Sequence, residues 1–546
     1  MKYARAFLGY LAITGLLLSS IAMCLALLNL INTDPIDLHR LRDVFTAFCA
    51  CGVLYLAAHE TPKQEMQRVL TRSRSLLEHQ KAFPWIAGIM LALYVLDACT
   101  QHLAFRTGAH DFSMIDEAIH SAAGGGPLFS PVLGRSFLSE HFSPILLLVA
   151  PFHRLFSSPW LLVLLQPLLL WAAVWPFRAL LARFTGFDLW QINLLCLLFL
   201  NHAIMISTLE YLFHMECALP LILLSTLYFA ERKRYVLYAC CVLALLCVKE
   251  DMGLYLAGLG VFYALFRKRV TLGLLTAVIG CVWTTLAIKT VMPLFSGSEA
   301  ESYQFVSRWE SWGTSPAGII SGFARRPIQL ASHLFNADAL LLLSSFLFLP
   351  LLHPLKGYWL IFILPWTINA TSDFGIQSEL KLYYGIPMFS FMAAAIVFMI
   401  QDKTIVWPKT PRMAAVVAVI LVLFNCCHFK LPHIPRSRST VLRKISEIPQ
   451  SEHVIASACL FPILGYERDK SLIQQLSVPS SDFVLLKQGE GSWPLSEEQS
   501  YAYADLCMNN GFTELWEHEG FTCIAKTQDG QQDAHIFQKP RAVPLR

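Results

Sequence analysis

The chain has 546 residues, of which 55% are hydrophobic and 15% are charged, and its formal net charge is +4. In a soluble protein about a quarter of the residues are charged, so this composition excludes an ordinary globular protein and indicates a membrane protein. The small net charge gives no reason to expect a nucleic-acid partner. Because isolated strands leave backbone groups unpaired in lipid, we expect the membrane-spanning segments to be helices.

The N-terminus starts with MKYAR and stays apolar to about Ile31. This run is too long for a typical signal-peptide core and lacks a clear small-residue cleavage site, so we predict a membrane anchor. With a second apolar run at 43–58, it makes a two-helix N-terminal membrane segment over residues 1–82.

Apolar runs near the length that crosses a bilayer continue through residues 83–430, the predicted transmembrane core. We therefore expect an all-α polytopic membrane protein with about 11 to 13 transmembrane helices. The segment 144–156 is shorter, which favours a re-entrant or interfacial helix. The candidate spans are 6–31, 43–58, 83–104, 159–181, 189–208, 216–230, 235–248, 252–266, 270–294, 337–353, 357–371, 382–400 and 412–428.

Lysine and arginine in short loops favour the cytoplasmic side of a membrane. Basic clusters at 63–81, 232–234 and 267–269 assign these loops, and the N-terminus, to the cytoplasm. The large polar loop 105–144 then lies outside the cell, as does the loop 295–336. We expect the second of these loops either to cover a polar cavity or to rest at the lipid headgroups.

The tail over residues 431–546 differs in kind from the core. Its apolar runs HVIAS, DFVLL and FTCIAK alternate with the helix-like stretch SEEQSYAYADLCMNNG. This alternation predicts a small α/β extracytoplasmic domain. Its cysteines Cys459, Cys507 and Cys523 could include one disulfide in an oxidising compartment.

Two carboxylates in the loop 105–144, Asp111 and Asp116, are the candidate catalytic residues. One would act as general base and the other as a partner on the metal or phosphate side. The alternative is a pair of solvated loop carboxylates. If this stretch is helical, a spacing of five turns the second side chain about 140° from the first, so the two need not share a face.

Six other polar side chains fall on the same predicted face and are assigned to substrate binding: His141, His214, Glu216, Lys249, Glu250 and Asp251. A histidine near a glutamate at a membrane boundary suits a phosphate, sugar hydroxyls or a cation. We expect Lys249 to grip a phosphate and to pair with a neighbouring acid, which lowers the cost of burial. The alternatives are interfacial solvation of the histidines and a charged surface turn. Tyr383 and Tyr384 are interpreted as interface anchors.

These motifs resemble a prokaryotic family of predicted membrane proteins, the domain of unknown function 2079 (DUF2079). The resemblance rests on HDFSMIDE at 110–117, EHFSPILLLVAPF at 140–152, FHME at 213–216 and VKEDMGLYLAGLG at 248–260, in this order. His110, Ser113, Glu117 and Met215 depart from the usual Phe, Gly, Gln and Pro, and Tyr383-Tyr384 stands where the family has HY.

The family in turn is similar in architecture to GT-C glycosyltransferases. The resemblance implies an inner-membrane enzyme that takes a sugar from a polyprenyl-phosphate donor at the outer face, with Asp111 or Asp116 in the catalytic role. Its implied partners are the lipid-linked sugar donor and membrane lipids. A divalent cation, Mg²⁺ or Mn²⁺, stays open as a cofactor, and the sequence names no protein partner.

Two other functions remain open. In a transporter or lipid flippase the charged residues would relay protons or substrate, but the chain shows no internal repeat and its charges cluster at one face. In a non-catalytic membrane scaffold the tail domain alone would bind a partner, and the loop 105–144 would tolerate mutation.

Overall fold

The computed structural model describes residues 75–296, 303–346, 349, 353–380, 382–404 and 432–526. The spans expected at 6–31, 43–58 and 412–428 lie outside the described residues.

The described chain is mostly helical, as the composition predicts. Four of its helical segments are long and apolar enough to cross a membrane: Ala82–Leu103, Trp160–Phe184, Val270–Ser296 and Leu382–Gln401. The helices Leu189–Leu200 and Ala203–Leu209 are bent by 40° relative to each other, and the number of such segments among the described residues rises to five if this pair is one span. Tyr235–Leu246, Met252–Phe266 and Trp359–Ala370 are apolar but shorter, and the expected span 216–230 is the 13-residue helix Leu219–Glu231. At 1.5 Å per residue that helix covers about 20 Å, less than the hydrocarbon core.

The remaining helices are short and lie mainly in the connections. The expected re-entrant segment is a 3-10 helix, Pro144–Leu148, followed by the six-residue helix Ala150–Leu155. Other short α-helices are Met114–Ala123, Pro316–Arg325, Pro327–Leu334, Ala337–Ser345 and Gly375–Ser378. The long segment Leu382–Gln401 begins with a 3-10 turn, Leu382–Tyr384, and continues as the α-helix Gly385–Gln401.

The helix Met252–Phe266 packs closely against the helix Val270–Leu286. Gly253 faces Gly280 and Gly260 faces Gly273, so an added Cβ at any of the four would meet backbone of the opposite helix. Small residues allow such close approach, which is a common way for helices to associate in membranes. This seam holds the turn with Lys249, Glu250 and Asp251 at one end of the bundle.

Antiparallel succession of the helices separates two chemically different ends. At one end Arg267 contacts Asp402 at 2.6 Å and Glu231 at 3.6 Å, and Arg269 contacts Glu231 at 3.2 Å. The loops 105–144, 210–216, 249–251 and 371–384 meet at the other end, which carries the candidate site.

The C-terminal residues form a five-stranded sheet of β3 Val454–Ala456, β4 Lys470–Leu472, β5 Phe483–Lys487, β6 Phe512–His518 and β7 Phe521–Lys526. The order of the strands in the sheet is β4-β3-β5-β7-β6. β3 pairs in parallel with β4 and β5, and the other pairs are antiparallel. Helices Arg438–Glu447 and Glu497–Met508 pack on it. A two-stranded ribbon, β1 Phe129–Ser130 with β2 Arg135–Ser136, lies in the loop 105–144. The sheet confirms the α/β character expected for the tail.

The expected disulfide in this region is absent from the described residues. Cys459, Cys507 and Cys523 are all free thiols, and the last two are buried. Cys523 lies on β7 and Cys507 on the helix Glu497–Met508, where both fill apolar core positions. The role of these two thiols is packing, since a buried thiol behaves as a small hydrophobe.

Candidate functional site

The loop 105–144 is not one helix at its acidic motif. An irregular turn, Ala109–Ser113, precedes the helix Met114–Ala123, and its backbone is not helical at His110 or at Asp111, which has a φ of 60°. Non-glycine residues seldom adopt positive φ, and such strained residues cluster at functional sites. The irregular turn separates Asp111 from Asp116 and sends the two side chains into different surroundings.

The Asp111 carboxylate accepts a hydrogen bond from the Tyr211 hydroxyl through Oδ2. It is half-buried, and within the described chain this is its one side-chain hydrogen bond. Burial and the charge of Asp111 raise the pKa of Tyr211, so the phenol stays a donor. The other carboxylate oxygen, Oδ1, can therefore accept a hydrogen bond from a bound molecule.

Aromatic rings connect Asp111 to the rest of the site. The ring of Tyr211 lies 5.4 Å from that of Tyr383. Tyr383 in turn stacks on the imidazole of His214, with centroids 3.6 Å apart and planes at 7°. The Tyr383 hydroxyl donates to that of Tyr384 at 3.0 Å. Interpretation of these two tyrosines as interface anchors is wrong: they are only 5% and 7% exposed.

His214, Glu216 and Lys249 form a buried triad. His214 Nδ1 contacts Glu216 Oε2, and Lys249 Nζ donates to Glu216 Oε1 at 2.9 Å. Burial alone would raise the pKa of Glu216, but the charges of His214 and Lys249 outweigh it and hold that pKa well below its usual value. Burial would lower the pKa of Lys249, but Glu216 holds it above its usual value. Both groups are therefore charged at neutral pH.

The partner of Lys249 differs from the expected one. Its ammonium bonds Glu216, 33 residues away, and not the adjacent Glu250 or Asp251. The paired geometry stabilises two buried charges that would each be costly alone.

Glu250 is held by a different set of groups. Its Oε1 contacts His141 Nδ1 at 3.0 Å and accepts from the Tyr303 hydroxyl at 2.6 Å, and its Oε2 accepts from the Phe142 backbone N–H at 3.0 Å. Burial alone would raise the pKa of Glu250, but the charge of the nearby His141 outweighs this effect, so the pKa of Glu250 is lowered overall. Through Tyr303, the described part of the loop 295–336 contacts this cluster of polar side chains.

Asp251 is the one acid of this group with a raised pKa. Burial is the main cause, and neighbouring Glu250 adds to it against the opposing charge of Lys249. Its Oδ2 accepts from the Tyr255 hydroxyl at 2.8 Å, while its buried Oδ1 has no partner among the described residues. The geometry therefore brings Asp111, His141, His214, Glu216, Lys249, Glu250 and Asp251 to one end of the bundle.

Arg308, which sequence reasoning missed, reaches the same end. Its guanidinium donates to Gln377 Oε1 at 3.0 Å and to the Tyr384 hydroxyl at 3.2 Å, and it lies 4.4 Å from the ring centroid of Phe305. Within the described residues no carboxylate lies at ion-pair distance from it. The signal for it in the sequence is a lone arginine between aromatic residues in a loop assigned to the outside.

Asp116 belongs to a second cluster, at the contact between the loop 105–144 and the C-terminal sheet region. Its Oδ2 accepts from the Tyr466 hydroxyl at 2.8 Å, and its Oδ1 lies 3.4 Å from His153 Nε2. Beside it, Glu117 forms an ion pair with Lys470. Burial raises the pKa of Glu117 against the opposing charge of Lys470. Asp116 therefore does not share the surroundings of Asp111.

A cavity of about 340 Å³ lies beside Asp111. Its walls come from residues 105–108, 110 and 112 on either side of Asp111, from residues 210–212 including Tyr211, and from the C-terminal residues 458, 459, 491 and 493. The polar loop, the core and the sheet region thus all line one opening.

The described residues do not fit a resident divalent cation. They contain no group of three or more His, Cys, Asp or Glu side chains that could hold a metal ion. The acids of the site are instead bonded to lysine, histidine and tyrosine side chains.

These features define a mostly helical integral membrane protein with a buried polar network at one end of its helices and a small C-terminal sheet. The chain belongs to the family described as predicted membrane protein (DUF2079), which matches residues 101–522. The family membership suggested by the four motifs is thereby confirmed. No curated protein matches the chain.

Proposed function

We propose that this protein is a membrane glycosyltransferase, which transfers a sugar from a polyprenyl-phosphate donor to an envelope acceptor at the extracytoplasmic face of the inner membrane. The observation that carries the proposal is the state of Asp111. Its carboxylate is half-buried beside an open cavity and keeps one oxygen without a side-chain partner in the described chain, while Glu216 and Glu250 are engaged through both of their carboxylate oxygens.

The distribution of charge supports the proposed orientation. The basic clusters 232–234 and 267–269 lie at the end of the bundle opposite the candidate site. Since lysine and arginine in short loops favour the cytoplasm, the site end would face outward. A lipid-phosphate donor lies at the membrane interface, where such an end can receive it.

In the proposed reaction, an acceptor hydroxyl oxygen attacks the anomeric carbon of the donor sugar. A new carbon–oxygen bond forms as the bond from the anomeric carbon to the phosphate oxygen breaks, and polyprenyl phosphate leaves with the electron pair. Asp111 takes the proton of the acceptor hydroxyl, and a positioned base of this kind contributes roughly 10² to 10⁴ in rate. Tyr211 fixes the carboxylate through its hydrogen bond.

Arg308 is the better candidate for the donor phosphate than Lys249. The charge of Lys249 is balanced by Glu216 at 2.9 Å, whereas Arg308 contacts only neutral groups and aromatic rings among the described residues. A guanidinium also presents several donors in a fixed fork that matches a phosphate. The remaining predicted binding residues, His141, His214, Glu216, Glu250 and Asp251, would then position the tyrosines and the loop that carry Arg308. Asp116 would position the C-terminal region.

The test is a deletion strain complemented with wild-type, Asp111→Asn or Asp505→Asn protein, with protein levels matched. Asp505 is an exposed acid on the helix Glu497–Met508, so its variant is the control for a change of charge. Mass spectrometry of envelope glycans and lipid-linked sugars should show the same accumulated lipid-linked sugar, and one glycan lacking a residue, in the deletion and in Asp111→Asn only. Wild-type glycans in Asp111→Asn would contradict the proposal, and substrate movement without bond cleavage would favour a transporter.

A further inference from the structure

We infer that the cavity between the polar loop and the C-terminal sheet region binds a neutral hexose ring, with Trp493 as the surface on which the sugar stacks. As a sugar-binding site the inference stands on the geometry of the cavity. That the bound sugar belongs to the acceptor rests on the proposed function.

The size of the cavity suits one sugar ring. Its volume of about 340 Å³ is at the lower end of the range for small-molecule sites, which are roughly 300 to 1,000 Å³. Such sites combine aromatic walls with a few placed polar groups. This cavity has both, because Trp493 and Tyr211 line it together with Arg106 and His110.

Trp493 is held in place but open to a ligand. Its side chain is 57% exposed, although tryptophan is normally well buried. The His110 ring meets it edge-on, with centroids 4.6 Å apart and planes at 78°. An indole that contacts one neighbouring ring and stays more than half exposed can receive the face of carbon–hydrogen bonds that a pyranose presents.

The polar groups of the cavity favour hydroxyls over a phosphate. Burial lowers the pKa of His110, so at neutral pH its imidazole is uncharged and offers one donor and one acceptor. Arg106 is exposed and supplies further donors, while Glu210 on the adjoining wall supplies a carboxylate. A phosphate would meet that carboxylate unfavourably, whereas sugar hydroxyls can donate to one group and accept from the other.

The position of the cavity connects it to the proposed reaction. Tyr211 lines it and donates its hydroxyl hydrogen to Asp111. A hexose in the cavity thus lies against the side chain that orients the proposed base. The wall carrying Trp493 belongs to the C-terminal sheet region, so this region would select the acceptor while the core carries the donor.

The test measures sugar binding by purified full-length protein in detergent, with saturation-transfer NMR. The probes are methyl β-D-glucopyranoside, methyl β-D-galactopyranoside and methyl α-D-mannopyranoside. We expect saturation of at least one probe, an affinity about tenfold weaker in Trp493→Ala, and recovery in Trp493→Phe, because an aromatic face adds on the order of that factor. Tyr501→Ala is the matched control, since Tyr501 is 55% exposed in the same region and does not line the cavity.

Arg106→Ala, on the opposite wall, is a second variant that keeps the inference testable if Trp493→Ala does not fold; it should also weaken binding. The inference would be overturned if none of the three probes showed saturation transfer from the wild-type protein. It would also be overturned if Trp493→Ala and Arg106→Ala both bound the probes with the wild-type affinity. The proposed function is tested separately with Asp111→Asn. If the glycosides bind while Asp111→Asn transfers sugar normally, the proposed function fails and the sugar site stands; if Asp111→Asn loses transfer and no glycoside binds, the reverse holds.

Discussion

The imidazole of His214 lies flat on the ring of Tyr383, with centroids 3.6 Å apart and planes 7° from parallel. His214 is fixed on its edge by Glu216, which also accepts from Lys249. The stack therefore joins the segment 210–216 to the segment 371–384 through one buried contact. Tyr211 and Arg308 reach the same tyrosines, so the arrangement of the whole site depends on this contact.

Replacement of Tyr383 by alanine should destabilise the protein. Loss of a large buried ring costs about 3 to 5 kcal/mol in the free energy of unfolding, whereas Tyr383→Phe keeps the ring and should cost less than about 1.5 kcal/mol. Thermal or denaturant unfolding in detergent measures the difference. Exposed Tyr501→Ala should stay within about 0.5 kcal/mol of the wild type. Equal losses in the alanine and phenylalanine variants would show that the stack does not hold the site.

The pair of Glu216 and Lys249 should behave as a unit. Glu216→Gln leaves a buried ammonium without its carboxylate, which costs about 3 to 5 kcal/mol, and a double apolar variant, Glu216→Leu with Lys249→Met, should recover much of this loss. Stability of the single and double variants in detergent gives the coupling. Additive losses would mean that the two charges do not depend on each other.

The same pair predicts a pH dependence of stability. The folded pKa of Glu216 is depressed below its ordinary 4.5, so its contribution is present above that value and is lost as the pH falls through the depressed pKa. The unfolding midpoint of the wild type should therefore fall on acidification more steeply than that of Glu216→Gln. Parallel curves for the two proteins would contradict the assigned charge state.

Removal of Lys470 should loosen the C-terminal sheet region from the polar loop. Lys470→Ala leaves the carboxylate of Glu117, which is 5% exposed, without its ion pair. We expect faster hydrogen exchange in residues 114–123 and 461–472, the two sides of the contact. Lys444→Ala is the control, because the pair of Lys444 with Glu447 is partly exposed and is worth at most about 1 kcal/mol. Unchanged exchange in Lys470→Ala would remove this role.

Arg308 should govern the affinity for the donor. Arg308→Gln removes the cation and should raise the KM for a short-chain polyprenyl-phosphate sugar by about tenfold or more. Arg308→Lys keeps the charge but loses the fork geometry, so its KM should lie between those of the wild type and Arg308→Gln. Transfer assays in proteoliposomes measure both. An unchanged KM in Arg308→Gln would contradict this role and would leave Lys249 or His214 as the residue that binds the phosphate.

Local patterns in the sequence were sufficient for much of the fold. Long apolar runs predict the helices Ala82–Leu103, Val270–Leu286 and Gly385–Gln401, and the runs HVIAS, DFVLL and FTCIAK predict β3, β5 and β7. These features depend on residues close together in the chain. The gathering of charged residues at one end of the bundle also follows from the alternating direction of the helices.

The partners within the site could not be predicted in the same way. Asp111 and Asp116 diverge because of a kink in the backbone with a positive φ at Asp111, and no residue in HDFSMIDE predicts this kink. Lys249 has two acids beside it and bonds a third 33 residues away, since its side chain points across the bundle. The sequence around Tyr383 is typical of a tyrosine at a membrane boundary, and its stacking on His214 could not be predicted because the two residues are far apart in the chain.

The most direct test of the account is the rate of sugar transfer by Asp111→Asn. Wild-type and variant protein are placed in proteoliposomes with lipid extract from the deletion strain, which supplies the accumulated donor, and release of polyprenyl phosphate is followed by mass spectrometry. We expect a rate about 10² to 10⁴ lower in the variant, with an unchanged unfolding midpoint and unchanged binding of the methyl hexosides. Release at the wild-type rate by a stable Asp111→Asn protein would contradict it.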